Sequence, residues 1–363
     1  LAGSGNIIRT NGNLGYAPVN LGATTSYYGL YAVDALDVTD ALTLTAGLRA
    51  NAADITTRDR SGVATELNGS HGYGHVNPLA GLTYKFSSAV TLFGGYSQAN
   101  RAPTPLELDC ASQTLPCLLE GSLVADPPLA QVVSNTYQAG LRGVFDGLGN
   151  GRFTWSATLF RTDSTNDIVA LASVIQGRGY FTNVPLTRRQ GVDLTGRYDA
   201  QGWSAYASYS YLDATYQFAG ALASPNNPQA DANGNVAVTP GRHLPVNPAD
   251  TVRAGADVTV LDGVTVGAEL AFTGSQYFDG DPSNLNAKLP ANMVVNLHAA
   301  YDITENWQLF GVVDNLFDNH DATYGTYFST DDTAGLLTPA LSDPRSITLQ
   351  QPITFQLGLK LKL

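Results

Sequence analysis

The sequence predicts an all-β fold, a transmembrane antiparallel up-and-down β-barrel of which about 13 strands lie in the chain. Three observations predict it. Apolar and polar residues alternate along segment after segment, a period of two that belongs to strands. The connections alternate short, long, short, long from end to end. No apolar run reaches the roughly 18 residues that a membrane-crossing helix needs.

The elements follow in order. Residues 1–22 are rich in Gly and Asn and read as loop, with a short strand allowed near 7–10. Residues 23–38 hold the first strand, whose faces are ambiguous because Tyr27, Tyr28 and Tyr31 fall on both. After a turn at 39–41, Leu42, Leu44, Ala46, Leu48 and Ala50 alternate with Thr43, Thr45, Gly47, Arg49 and Asn51. The polar stretch 58–75 reads as loop. Ala80, Leu82, Tyr84 and Phe86 form the next apolar face, and the Ser87-Ser88 turn leads into a strand at 90–100. A long loop at 101–132 follows. Tyr137, Ala139, Leu141 and Phe145, then Phe153, Trp155, Ala157 and Leu159, flank a Gly-rich turn at 146–151.

A loop at 163–178 precedes the strand of Val192, Leu194 and Tyr198. The turn at 200–202 opens an aromatic strand at 203–213, and 217–248 is loop. Val252 to Val260 and Val264 to Phe272 flank the turn at 261–263. A loop at 277–290 leads to Val295, Leu297, Ala299 and Tyr301, and a turn at 304–306 to a strand at 307–317. A last loop, 318–351, precedes the final strand at 353–363. There Ile353, Phe355, Leu357, Leu359, Leu361 and Leu363 share one face, opposite Thr354, Gln356, Gly358, Lys360 and Lys362.

Every short turn joins an odd strand to the next even one, and every long loop joins even to odd. A soluble sandwich has no reason to keep its long loops at one end. An outer-membrane barrel does, with short periplasmic turns, long extracellular loops, an apolar outer face on lipid and a polar lumen. Closure satisfies the backbone N–H and C=O groups that lipid cannot. Aromatic residues beside the short turns (Tyr84, Phe86, Phe153, Trp155, Tyr198, Trp203, Tyr301, Trp307) suit an interfacial girdle. The expected location is the outer membrane of a Gram-negative bacterium, with membrane lipid as a partner. The net charge of -12 argues against nucleic acid, which needs a basic face. Met293 is the only methionine and no secretory signal opens the chain, so a processed product or fragment is expected.

Four stretches resemble TonB-dependent outer-membrane receptors, in that family's order. GYSQANRAPTPLEL (95–108) looks like its "Y-S-x-x-x-R-A-P" strand-to-loop segment, and SNTYQAGLR (134–142) like the strand after it. FTNV (181–184) with RRQGVD (188–193) resembles "N-V…R-R-x-G-v-E", and VDNLFD (313–318) resembles "v-x-N-L-F-D". The resemblance covers nearly the whole chain after about residue 23. It implies a barrel of about 22 strands around a plug. The plug, the TonB-contacting segment and the first nine or so strands are then absent. Residues 1–22 would be an extracellular loop remnant and 23–363 the C-terminal barrel strands. The final strand would address the barrel-assembly machinery, although such signals usually end in an aromatic and this chain ends at Leu363. If these strands close on themselves, 353–363 must meet 23–38 in a parallel seam.

The resemblance implies uptake of a scarce nutrient (a ferric siderophore, haem or a vitamin-like cofactor) energised by the TonB complex. The alternative is a passive porin-like or adhesin barrel. An outer-membrane barrel enzyme is a third reading, but no Ser/His/Asp spacing or phosphate-cradling Gly loop supports it, and no cofactor is expected. Candidate ligand residues are the loop pair His71 and His75, Arg101 beside the first long loop, and the late-loop aromatics Tyr277, Phe278, Tyr324, Tyr327 and Phe328. The histidines could bind a metal or haem iron, or simply be solvated. The aromatics suit a flat or greasy ligand, or pack on each other. Asp279, Asp281, Asp331 and Asp332 are weak Ca²⁺ candidates of no EF-hand spacing. Cys110 and Cys117 read as a short-range disulfide, with free thiols or a metal pair as alternatives. Lumen-facing Arg49, Arg142, Arg197, Arg253, Glu269 and His298 are expected to form ion pairs along the inner wall.

Overall fold

The computed structural model describes residues 21–60, 62, 67–108, 117–118, 129–173, 178–328, 330 and 342–361. The elements are β1 (Leu21–Asp37), β2 (Leu42–Asp59), β3 (Gly69–Lys85), β4 (Val90–Arg101), the helical turn α1 (Pro105–Leu108), the two-residue β5 (Cys117–Leu118), β6 (Val132–Leu148), β7 (Gly151–Ala172), β8 (Arg178–Ala200) and β9 (Trp203–Tyr216). Then come β10 (Gly220–Ala223), β11 (Asn235–Val238), β12 (Asp250–Leu261), β13 (Val264–Thr273), β14 (Asn292–Asp302), β15 (Trp307–Asp314), β16 (Ala322–Tyr327), β17 (Arg345–Leu349) and β18 (Thr354–Leu361).

Thirteen of these strands form one continuous path, β1-β2-β3-β4-β6-β7-β8-β9-β12-β13-β14-β15-β18, with β5 attached to β8. Every neighbouring pair along the path is antiparallel. Among the described residues β1 and β18 each have one neighbour, so the parallel closing seam does not form. The hairpins β10–β11 and β16–β17 stand apart, inside two of the long loops.

The register keeps apolar residues on one face across strands. One row reads Leu36, Leu44, Leu82, Gly94, Ala139, Leu159, Val192, Tyr211. Another reads Trp203, Val258, Val266, Ala299, Gly311, Leu357. Leu159 is 60% exposed and Leu357 79%. In water such a face would aggregate; against lipid it is the solvated face. The short turns need little chain. Gly149 and Asn150 both take positive φ, the mirror-image geometry that matches strand twist in tight hairpins. Aromatic pairs sit beside these turns, Tyr84 with Phe86 and Tyr198 with Trp203, at centroid distances of 4.9 and 4.8 Å.

The strands run further toward the long-loop end than the alternation suggested. The expected loop at 58–75 shrinks, because β2 reaches Asp59 and β3 starts at Gly69. The expected loop at 163–178 is mostly strand, because β7 reaches Ala172 and β8 starts at Arg178. Among the described residues, buried apolar side chains gather there, where loops fold over the inner wall. One cluster joins Ala53, Ile55, Ala102, Leu108 and Leu129; a second joins Val184, Ala214, Tyr216, Leu222, Val238 and Leu244; a third joins Phe278, Leu289 and Tyr327.

Candidate functional site

The inner face is assembled from three regions, two at the loop end and one nearer the short turns, beginning with β3. His71 and His75 lie on this strand and not in a loop, opposite Ile55 and Asn51 of β2. Below them sits Pro78, inside the strand. Proline donates no N–H, and the β3–β4 ladder stops one residue away, at the Leu79–Ser97 pair. Side chains hold the two strands together above that point. His75 Nε2 lies 2.9 Å from Gln98 Oε1. The amides of Asn51 and Asn77 both donate to Asn100 Oδ1, at 2.8 and 2.7 Å. Asn100 Nδ2 donates to Gln131 Oε1 at 3.0 Å, and Gln131 Nε2 donates to the Gly74 carbonyl at 2.9 Å. Sequence reasoning did not find this amide seam; the signal for it was a proline inside an otherwise continuous strand. Asn77 is buried and its Oδ1 has no hydrogen-bond partner.

Arg101 ends β4 and pairs with Glu107 Oε2 at 2.7 Å. That oxygen also accepts from Thr104 N at 2.7 Å, while Glu107 N donates to Thr104 Oγ1 at 3.2 Å. This is a reciprocal capping box on α1, so Arg101 braces the turn that folds the loop inward. Pro103 and Pro105 stand where the ladder ends, as their missing N–H groups require. Cys110 lies outside the described residues, as does the side chain of Cys117, whose backbone forms β5.

The late loops divide the predicted aromatic set. Phe278 and Tyr327 are buried and face each other at 5.5 Å between centroids. Burial pushes the Tyr327 hydroxyl up to about 12, and the Asp281 carboxylate adds to the shift. Tyr277 is only half-buried, with His243 stacked at 6.0 Å and Lys288 Nζ 4.7 Å from the ring centre. Tyr324 is exposed and donates to Asp279 Oδ2 at 2.7 Å; local burial first, then this bond, push its hydroxyl up to about 12. Phe328 follows β16, where its N–H donates to the Pro344 carbonyl at 2.8 Å.

Asp279 and Asp281 are not brought together as ligands. Asp281 is fully buried, and its carboxylate accepts from Ser283 Oγ at 2.8 Å, Asn286 N at 3.2 Å and Asn227 Nδ2 at 3.3 Å. Asn227 also donates to the Gly280 carbonyl at 2.7 Å. These bonds dock the β9–β12 loop onto the β13–β14 loop. Asp331 and Asp332 lie outside the described residues.

The third region is the inner wall nearer the short turns. His298 Nε2 lies 2.6 Å from Asp257 Oδ1, and Arg197 pairs with Asp199 at 2.7 Å. Arg49 donates to Asn51 Oδ1 at 2.7 Å and lies over the Tyr31 ring at 5.8 Å. Arg142 lies over Phe93 at 5.5 Å. The wall is thus polar and partly self-satisfied, and the loop-end regions are where the partly exposed aromatic and imidazole groups Tyr277, Tyr324, His71 and His75 lie.

A family model described as TonB dependent receptor-like, beta-barrel, matches residues 3–316. The ferric enterobactin receptor of Pseudomonas aeruginosa is 24% identical over 313 residues, covering 80% of this chain and 37% of that protein. The siderophore receptor PiuA of Acinetobacter baumannii superposes with a TM-score of 0.67 at 17% identity, over 94% of this chain and 44% of that one. The ferric-catecholate import receptor Fiu of E. coli K12 gives 0.65 at 18% identity, over 94% and 45%. The chain therefore spans less than half the length of each of these proteins. At such identities the superpositions show a shared fold.

Proposed function

We propose, from the premise that this chain belongs to the TonB dependent receptor-like β-barrel family, that it forms barrel wall and extracellular loops of an outer-membrane receptor for a scarce nutrient. Its cargo is a ferric siderophore, haem or a vitamin-like cofactor, and the names of the relatives favour the first. Import is energised through TonB, and the protein is not an enzyme. The observation that carries the reading is the coincidence of two patterns on one sheet. An unbroken apolar outer face runs across the strands, and the folded loops gather at one end over a polar inner wall. That end offers Tyr277, Tyr324, His71 and His75 as ligand-contacting groups.

The test is uptake of an iron-55-labelled siderophore panel by cells whose sole receptor is the intact protein, with and without functional TonB. Accumulation of one chelate that disappears without TonB is the expected result. Accumulation of small solutes that ignores TonB would instead establish a passive pore.

A further inference from the structure

The long loops carry most of the protein's negative charge. The segments that join the strands at that end are 60–68, 102–131, 173–177, 217–249, 274–291 and 315–353. They hold thirteen acidic residues and four basic ones, so nine of the twelve net negative charges fall there. The arginines at this end do not offset it. Arg101 is held by Glu107 at 2.7 Å, Arg189 by Asp167 at 3.1 Å and Arg345 by Asp343 at 2.6 Å. Arg161 and Arg188 share Asp163 at 2.8 and 2.7 Å, and Asp213 lies on the next strand. The guanidinium forks that could take an anionic ligand are thus already on carboxylates.

The ligand groups proposed above favour the same sign of charge. Tyr324 is exposed and donates to Asp279 Oδ2 at 2.7 Å. Backbone contacts fix that pair: Asp279 N donates to the Gly325 carbonyl at 2.8 Å, and Asp279 forms a bridge with Thr326. A half-buried carboxylate held beside an aromatic ring is a preformed seat for a cation. Tyr277 shows the preference within the protein, since its ring already carries the Lys288 ammonium at 4.7 Å. On β3 the buried Asn77 Oδ1 has no partner, and it too is an acceptor, a group that answers a donor and not an anion.

We propose that the cargo is a ferric chelate of neutral or positive net charge, and that Asp279 and Tyr324 seat a cationic group on it. Three hydroxamates, each a monoanion, leave an Fe³⁺ complex neutral, and one pendant ammonium makes it a cation. Three catecholates, each a dianion, leave it a trianion. Loops of one sign of charge draw in the first kind and repel the second before any contact forms. The proposal deepens the receptor reading and rests on it.

Three iron-55-labelled chelates test it on the intact protein in detergent: a linear trihydroxamate with a free amine, its N-acetyl form, and a tripodal triscatecholate. At about 0.01 M salt the amine chelate should associate about tenfold faster than the acetylated one, and the triscatecholate about tenfold slower again. The spread should collapse at about 0.5 M salt, where the screening length falls below about 8 Å. Asp279→Asn can still accept from the Tyr324 hydroxyl, so the loop keeps its bond. It should weaken the amine chelate by about fivefold and leave the acetylated one within about twofold. Fastest association by the triscatecholate, a spread that ignores salt, or equal losses for amine and acetyl chelates in Asp279→Asn would each overturn the proposal. Binding of none of the three would also overturn it. The receptor reading fails separately, if uptake of the siderophore panel by cells ignores TonB.

Discussion

His298 of β14 reaches Asp257 of β12 across the strand that separates them, Nε2 to Oδ1 at 2.6 Å, because Gly267 of β13 lies between them without a side chain. A Cβ at Gly267 would fall on His298 Nε2 and 2.5 Å from Asp257 Oδ1. Gly267→Val should therefore separate the pair without breaking the sheet. Both side chains are partly exposed, so solvent screening keeps the loss small, at most about 1 kcal/mol. Urea unfolding of Gly267→Val and His298→Gln should give similar, small shifts. A large loss in Gly267→Val alone would mean that the backbone, and not the pair, needs the glycine.

Asn315 should be far more costly. It is buried, with φ at 52°, at the end of β15. Its Nδ2 donates to the carbonyls of Asn319 at 2.9 Å and Gln351 at 2.8 Å, and its Oδ1 accepts from Asn319 N at 2.9 Å. Asn315→Ala loses all three bonds and puts an alanine in the left-handed region, for a cost of about 3–5 kcal/mol. Asn315→Gly relieves only the backbone part, about 1–2 kcal/mol. Equilibrium unfolding should rank wild type, Gly, Ala in that order; Gly no better than Ala would refute the left-handed contribution.

Asp343 gives a pH prediction. The Arg345 side chain, and then its backbone N–H, hold the Asp343 carboxyl down at about 2. A depressed carboxyl contributes stability above its unfolded value of about 3.9, and loses it as pH falls through the folded one. The contact that starts β17 should thus survive at pH 4 and disappear between about pH 4 and pH 2. Carboxyl carbon chemical shifts of Asp343 would follow it. An ordinary midpoint near 3.9 would show the pair to be unformed in solution.

The membrane-facing part of the fold was legible because one solvent acts along the whole apolar band. On β2 the outward set is Leu42, Leu44, Ala46, Leu48 and Ala50, all even. Higher up the phase reverses: Ala53, Ile55 and Thr57, all odd, are buried under the inward-folded loop, while Asp54 and Arg58 face water. In the sequence the clear alternation stops at Asn51 and the polar stretch 58–75 reads as loop, although the chain only changes which face is dry. The same reversal hid the setting of His71 and His75. The VDNLFD motif was legible as a family signature, but its hydrogen bonds were not: Asn315 holds the loop backbone at Asn319 and Gln351, and Asp318 Oδ1 accepts from Ile353 N at 2.9 Å. The docking of Asn227 on Asp281 was not legible either, because the two lie in different loops and no local pattern links them.

The late-loop aromatics allow a prediction that separates packing from ligand contact. Phe278 and Tyr327 form a buried pair, and Gly325 leaves room for the Phe278 ring, since a Cβ there would lie 2.5 Å from it. Phe278→Ala should therefore cost about 3–5 kcal/mol of local stability. Limited proteolysis should then cut the β13–β14 and β15–β18 loops faster, and uptake should fall only as the loops come loose. Tyr277 and Tyr324 are partly or largely open to solvent, so Tyr277→Ala and Tyr324→Ala should leave the proteolysis rate within about twofold, a surface-sized effect. If these residues touch the ligand, each should weaken binding by about tenfold or more, as loss of an aromatic contact worth over 1 kcal/mol requires. Tyr324→Phe isolates the hydroxyl: it keeps the ring but frees Asp279. Unchanged affinity in all three tyrosine variants would remove both residues from the ligand site and leave the interior face of β3, with His71 and His75, as the place to look.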